Sequence, residues 1–238
     1  MSPFHALLLL PSLLGAPPAT DPLLPLAAEP ASAPIDASVR KDAPVATPLA
    51  SAPPSPLAEA PREARDVVEF WRAAGPSAWF AKDPAFDVAF RDRFALLYSR
   101  ASRGELADWR ASPEGALAEI LLLDQYPRNA FRGTPHMYAT DALAREAADA
   151  AIRAGRDQAV PTDLRLFIYL PFGHSEDLAD QQRSVDLASS LPDPSPRNAK
   201  RHHDIILWFG RFPHRNPILG RAMTGEEQEY LDTGGYQG

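Results

Sequence analysis

Asp124 lies four positions after Ile120 and three after Leu121, on the apolar stripe of its helix. A carboxylate facing a core needs a cationic or donor partner, because unpaired burial is strongly unfavourable. Arg128 and Arg132 follow at i+4 and i+8, and Arg211 and Arg215 are alternative partners from another helix end. His202 meets the same conflict, sharing one helical stripe with Ile205, Ile206 and Phe209. His174 precedes a helix N-terminus, with Glu176 two positions on, and His214 stands between Arg211 and Asn216. Arg221, Asn129 and Gln181 complete the polar set.

These residue types admit three chemistries. Guanidinium forks bind carboxylate or phosphate through two parallel hydrogen bonds, which lysine cannot match, and all five cationic positions are arginine. Set against Asp124 and Glu176 alone, Arg128, Arg132, Arg211, Arg215 and Arg221 leave an excess of positive charge, which suggests a small anionic ligand. On the same pocket His174 or His202 is a candidate general base, assisted by Glu176, with arginines stabilising developing negative charge. A histidine–carboxylate metal site from His174, Glu176, His202 and His214 is chemically allowed. Its spacing matches no standard arrangement, so no metal or cofactor is expected. Against all three stands a structural reading, in which the groups form a satisfied internal network that fixes helix register.

Several chemistries are excluded or unsupported. Without cysteine there is no thiol nucleophile, no disulfide scaffold and no cysteine-ligated zinc. His174-Ser175-Glu176 reads as H-x-E, but the P-C-x-x-C partner of zinc deaminases cannot exist here. The sequence has no G-x-S-x-G elbow, P-loop or H-E-x-x-H helix. A net charge of -7 and pI near 5.4 argue against nucleic acid or anionic membrane as partners. No run reaches the roughly 18 apolar residues of a membrane span.

The elements that position these residues are helical. Pro61 suits the first turn of a helix carrying Val67, Val68, Phe70 and Trp71, which Gly75 ends. Asp83-Pro84 and Ser112-Pro113 open the next two, through Phe90 and Phe94 and through Leu117 to Asp124. Thr134-Pro135 is expected to open an alanine-rich helix running to Gly155. A short apolar helix spans Leu164 to Leu170, and Ser175 starts another with Glu176 and Asp177 in its first turn. The last two cover Asn198 to Phe209 and the segment capped by Thr224 with Glu227. No segment alternates as a half-buried strand would. The expectation is an all-α, antiparallel array of about eight helices.

Composition divides the chain. Within residues 1–61 lie 14 of the 26 prolines, so residues 1–62 are expected to be a Pro/Ala-rich disordered extension and 63–238 an all-helical domain. The apolar stretch Phe4 to Leu14 loosely fits an export signal, but no Lys or Arg precedes it and Pro11 interrupts it. A cytoplasmic location is expected, with export as the alternative and a start further downstream as a third reading.

Three strings carry a family resemblance: Leu121-Leu122-Leu123-Asp124-Gln125-Tyr126-Pro127-Arg128-Asn129 with Phe131-Arg132-Gly133, Arg165 through Asp177, and Phe209-Gly210-Arg211-Phe212-Pro213-His214-Arg215-Asn216. With Val68-Glu69-Phe70-Trp71 and Leu219-Gly220-Arg221, the chain resembles the bacterial domain-of-unknown-function family numbered 924 over about residues 66–232. The segment Leu191 to Lys200 is shorter than the family pattern has. The resemblance implies a tetratricopeptide-like all-helical fold and no known substrate. A helical array also admits a protein partner, received in a groove lined by exposed Trp79, Trp109 or Trp208.

Overall fold

The computed structural model describes residues 59–238. The expectations for the export signal and for most of the Pro/Ala-rich extension fall on residues 1–58 and lie outside the described residues. Among the described residues there is no strand, and eight helices have eight residues or more. They are α1 Arg62–Ala74, α2 Pro84–Ser102, α3 Pro113–Ile120, α4 Asp141–Arg153, α5 Thr162–Gly173, α6 Leu178–Ala188, α7 Ser195–Phe209 and α8 Gly225–Asp232. Successive pairs α4–α5, α5–α6 and α6–α7 pack on one another across short connections, giving a helical array.

The helix starts follow local chemistry. Asp83 accepts from the amides of Ala85 and Phe86 ahead of α2, and Ser112 accepts from Gly115 ahead of α3. Thr224 and Glu227 form a capping box on α8. In α1 the stripe Ala64, Val67, Val68 and Trp71 is buried, as a 3.6-residue period requires. Phe70 stacks on Phe86 and Phe90 of α2, joining the two helices.

Two helix starts differ from expectation. The segment after Thr134-Pro135 is a short 3-10 turn, Pro135–Tyr138, and the alanine-rich helix begins only at Asp141. Thr134 turns its hydroxyl back to the Phe131 carbonyl (2.8 Å) instead of capping. The start assigned to Ser175 lies later too: Asp177 is the cap, accepting from Ala179 and Asp180, so Glu176 precedes α6. Helix α5 also outruns Leu170, continuing through Pro171 to Gly173.

Beyond Ile120 the chain continues as a π-helical turn, Leu121–Gln125, and then a helical stretch, Tyr126–Ala130. Pro127 has no N–H to donate to the carbonyl of Leu123, four residues earlier. The Thr140 hydroxyl takes that place, donating to the Leu123 oxygen at 2.6 Å. The widened turn changes the helix face and buries consecutive residues Asp124 and Gln125. A large core runs through α1 to α5, and a smaller one joins Ile205, Ile206 and Phe212 with Phe209, Tyr230 and Tyr236.

Candidate functional site

The π-helical turn, the end of α5 and the segment after α7 bring together Asp124, Arg128, His174 and Arg215. Asp124 is fully buried, as its stripe position predicts. Its Oδ1 accepts from His174 Nδ1 at 2.7 Å and lies 3.2 Å from Arg128 Nη1, while Gln125 donates to Oδ2. Arg128 also donates to the Asp124 carbonyl (2.7 Å) and forks onto Asp141 at 2.8 and 3.1 Å. Burial opposes ionisation of Asp124, but Arg128, His174 and Gln125 outweigh it and hold the carboxyl well below the usual range. Burial, with the positive charge of Arg128, lowers the affinity of His174 for a second proton despite Asp124.

His174 is therefore neutral at pH 7. A carboxylate only accepts, so Nδ1 carries the proton and Nε2 carries the lone pair. Among the described residues no group hydrogen-bonds Nε2. Gln181 fastens this corner from α6, donating to the carbonyls of Gly173 (2.9 Å) and Ser175 (2.6 Å).

Arg215 closes the cluster. It is 7% exposed, donates from Nη2 to the His174 carbonyl at 2.9 Å, and packs its guanidinium 4.6 Å from the Tyr138 ring and 4.5 Å from the Phe212 ring. Among the described residues its nearest carboxylate oxygen, on Asp141, is 3.9 Å away, and its buried Nε has no partner. Burial and the neighbouring charge of Arg128 lower its pKa, against the pull of Asp141.

The expected excess of positive charge across five arginines is not observed. Arg132 forks onto Asp87 at 2.8 and 2.9 Å and also meets Asn129, whose amide donates to the Gln125 carbonyl. Arg211 forks onto Glu227 at 2.6 and 2.8 Å, away from the cluster. Arg221 forks onto Glu176 at 2.6 and 2.9 Å and donates to the side-chain oxygen of buried Asn216. Glu176 further accepts from the Phe212 amide, so both of its oxygens are engaged by Arg221 and the backbone. Asp87, Asp141 and Glu227 supply the balancing charge.

The other two candidate histidines both pack against Phe212. His202 is buried 5.6 Å from Phe212 and 4.8 Å from Tyr236, and its pKa is pushed down to about 3, chiefly by burial and then by His174. His214 lies 5.0 Å from Tyr236 with its buried Nδ1 unpartnered, and burial followed by the charge of Arg215 pushes it down to about 3. The four candidate metal ligands thus face different partners. Among the described residues no three His, Cys, Asp or Glu side chains are placed to share an ion.

The tryptophan-lined groove is corrected as well. Trp79 and Trp109 are buried, Trp79 donating to the Trp71 carbonyl at 2.7 Å, and only Trp208 is exposed, at 66%. Trp208 borders a depression of about 280 Å³ that also meets Phe209, Arg211 and Glu227. Tyr138, Asp141 and Tyr236 were missed by sequence reasoning. Only Asp141 carried a local signal, as an acidic residue in the first turn of an alanine-rich helix.

A family described as bacterial protein of unknown function (DUF924) matches residues 67–235. A solved structure of a protein of unknown function, ATU0120 from Agrobacterium tumefaciens, is 56% identical, covering 72% of this chain and 98% of that one, with a TM-score of 0.71. No curated protein matches the chain. No helix among the described residues is long and apolar enough to cross a membrane.

Proposed function

The chain belongs to the DUF924 family of bacterial proteins of unknown function, and from that premise we propose that its helical domain binds a small anionic ligand, a carboxylate or phosphate, at Arg215. The observation that carries this reading is a guanidinium 7% exposed, with, among the described residues, no partner for its buried Nε and no carboxylate closer than 3.9 Å. Buried charges are ordinarily paired, and Arg132, Arg211 and Arg221 each hold a carboxylate in a fork. Arg128 takes both oxygens of Asp141, which leaves Arg215 with hydrogen-bonding capacity that an anion would fill. The adjoining π-helical turn adds support, since such turns are frequent at functional sites. Asp124, Asn129, Gln181 and Asn216 then serve as the frame that holds the arginines and His174, not as direct ligand contacts.

Phosphate, sulfate or citrate is expected to raise the melting temperature beyond the effect of chloride at matched ionic strength. Arg215→Ala abolishes that increment, and Arg215→Lys, which keeps the charge without the fork, retains little of it. If all four anions behave alike with the unaltered protein, the reading is wrong and the network is structural.

The hydrogen bond from His174 to Asp124 favours a second reading, an enzyme acting on the bound anion. A carboxylate that fixes the tautomer and leaves Nε2 as a base is the arrangement general-base catalysis needs. In that reading His174 is the base and Arg215 stabilises developing negative charge. His202 is too enclosed by Phe212 and Tyr236 for that role. Hydrolysis of a panel of simple esters and phosphoesters, lost in both His174→Gln and Arg215→Ala, is the expected outcome; activity that survives His174→Gln rules the base out.

A further inference from the structure

Residues 233–238 fold back against the cluster after α8. Gly234, at φ 93°, and Gly235 make the return, and a Cβ on Gly235 would lie 2.4 Å from the Tyr230 carbonyl oxygen. The hydrogen bonds of this segment all go to itself or to its own helix. Gly235 donates to the Tyr230 carbonyl (2.8 Å), Tyr236 N–H to the Tyr230 hydroxyl (3.0 Å) and Gln237 to the Leu231 carbonyl (3.0 Å). The hold on the rest of the fold is made by rings. Tyr236 sits 4.7 Å from the Arg201 guanidinium, 4.8 Å from His202, 5.0 Å from His214 and 6.5 Å from Phe212.

That slot and the anion site share a wall. Phe212 is the ring on which Arg215 lies, at 4.5 Å, and it is also within ring contact of His202, His214 and Tyr236. One planar ring of modest polarity, held by tilted and edge-on ring contacts and a cation–π contact with no interhelical hydrogen bond among the described residues, fills a slot beside a partner-poor arginine. We infer that the slot is the aromatic subsite of the ligand, and that Tyr236 is its occupant until the ligand displaces it. This rests on the anion-site reading above and narrows its ligand to a carboxylate or phosphate carrying an aromatic ring a few bonds from the charge.

The energetics suit displacement. An exchange of ring for ring keeps the contacts to Arg201, His202 and Phe212 available, and what is lost is the contact of the segment with its own helix and of Gly238 with His214. A self-occupied site lowers apparent affinity by the fraction of molecules that are open, so vacating it strengthens binding.

The test uses the full chain with phenyl phosphate and 4-phenylbutyrate, each against its ring-free counterpart, inorganic phosphate and butyrate. Tyr236→Ala is expected to bind the two aromatic anions about tenfold more tightly than the unaltered protein does, with inorganic phosphate unchanged. In the unaltered protein, hydrogen exchange at the amides of 234–238 is expected to quicken with phenyl phosphate and not with inorganic phosphate. This second measurement decides the matter should Tyr236→Ala fold poorly. Equal gains for aromatic and ring-free anions, or exchange that phenyl phosphate leaves unchanged, overturn the inference while the anion site stands. Absence of any phosphate-specific effect in either protein overturns the anion site itself.

Discussion

Asp124 is shared by three donors at once, and that sharing sets the cost of removing it. Arg128 keeps its fork on Asp141 when the Asp124 side chain is gone, so the damage falls mainly on the His174 Nδ1–H and the Gln125 amide, both left without an acceptor. Asp124→Ala is expected to destabilise by roughly 3–5 kcal/mol in urea unfolding, the sum of two buried donors left unsatisfied and of Asp141 left to balance both Arg128 and Arg215. An unchanged midpoint would place the carboxylate at solvent. Asp124 is buried as its stripe position predicts, but so is every residue from Gly115 to Pro127, so the burial comes from the helix being central and not from one face of it. Its arginines could be named by type but not paired, since Asp87, Asp141 and Glu227 reach them from other elements. For that reason the charge balance inferred from Asp124 and Glu176 came out too positive. Arg215 is partner-poor through the geometry of Asp141, and no local pattern carries that.

Among the elements, the junction of Pro127, Leu123 and Thr140 holds the π-helical turn to the start of α4. Thr140→Val removes the donor to the Leu123 carbonyl and leaves a buried acceptor unsatisfied, at an expected cost of about 1–3 kcal/mol. In a Pro127→Ala background the restored amide can serve that carbonyl, so the same substitution costs less there. Equal costs in the two backgrounds, read from a double-mutant cycle, would show that proline does not create the vacancy. One helix start lies more than a few residues from its expected place. The Ser/Thr/Asp-Pro signal holds at Asp83 and Ser112, where the side chain caps the following amides. At Thr134 the hydroxyl is spent on Phe131, and the helix waits for Asp141. The remaining boundaries were legible because Pro and Gly act on their own turn of backbone.

For the whole molecule, the composition break near Pro61 predicts that limited proteolysis leaves a stable fragment beginning between about residues 54 and 65. A protected stretch within residues 20–50 would contradict that division. The response to acid is a second global property. His202 and His214 titrate at about 3 in the folded protein and near 6.5 when unfolded, and burial lowers His174 in the same direction. Below pH 6.5 the unfolded chain therefore binds protons that the folded one refuses, and stability falls as pH falls. The carboxylates have the opposite chemistry and the same sign. Glu227, lowered from 4.5 to about 2 chiefly by its hydrogen bonds from Arg211, contributes stability that is lost only as pH drops below 4.5. The two classes overlap below pH 4.5, where the folded histidines still refuse the proton, and only the loss between pH 6.5 and 4.5 belongs largely to histidine. His202→Asn is expected to flatten that upper window, removing roughly 2 kcal/mol of the loss, and to lessen the slope further down to about pH 3. Urea midpoints measured at half-unit steps of pH read both windows, and an upper slope that His202→Asn leaves intact would mean that this histidine is protonated within the fold.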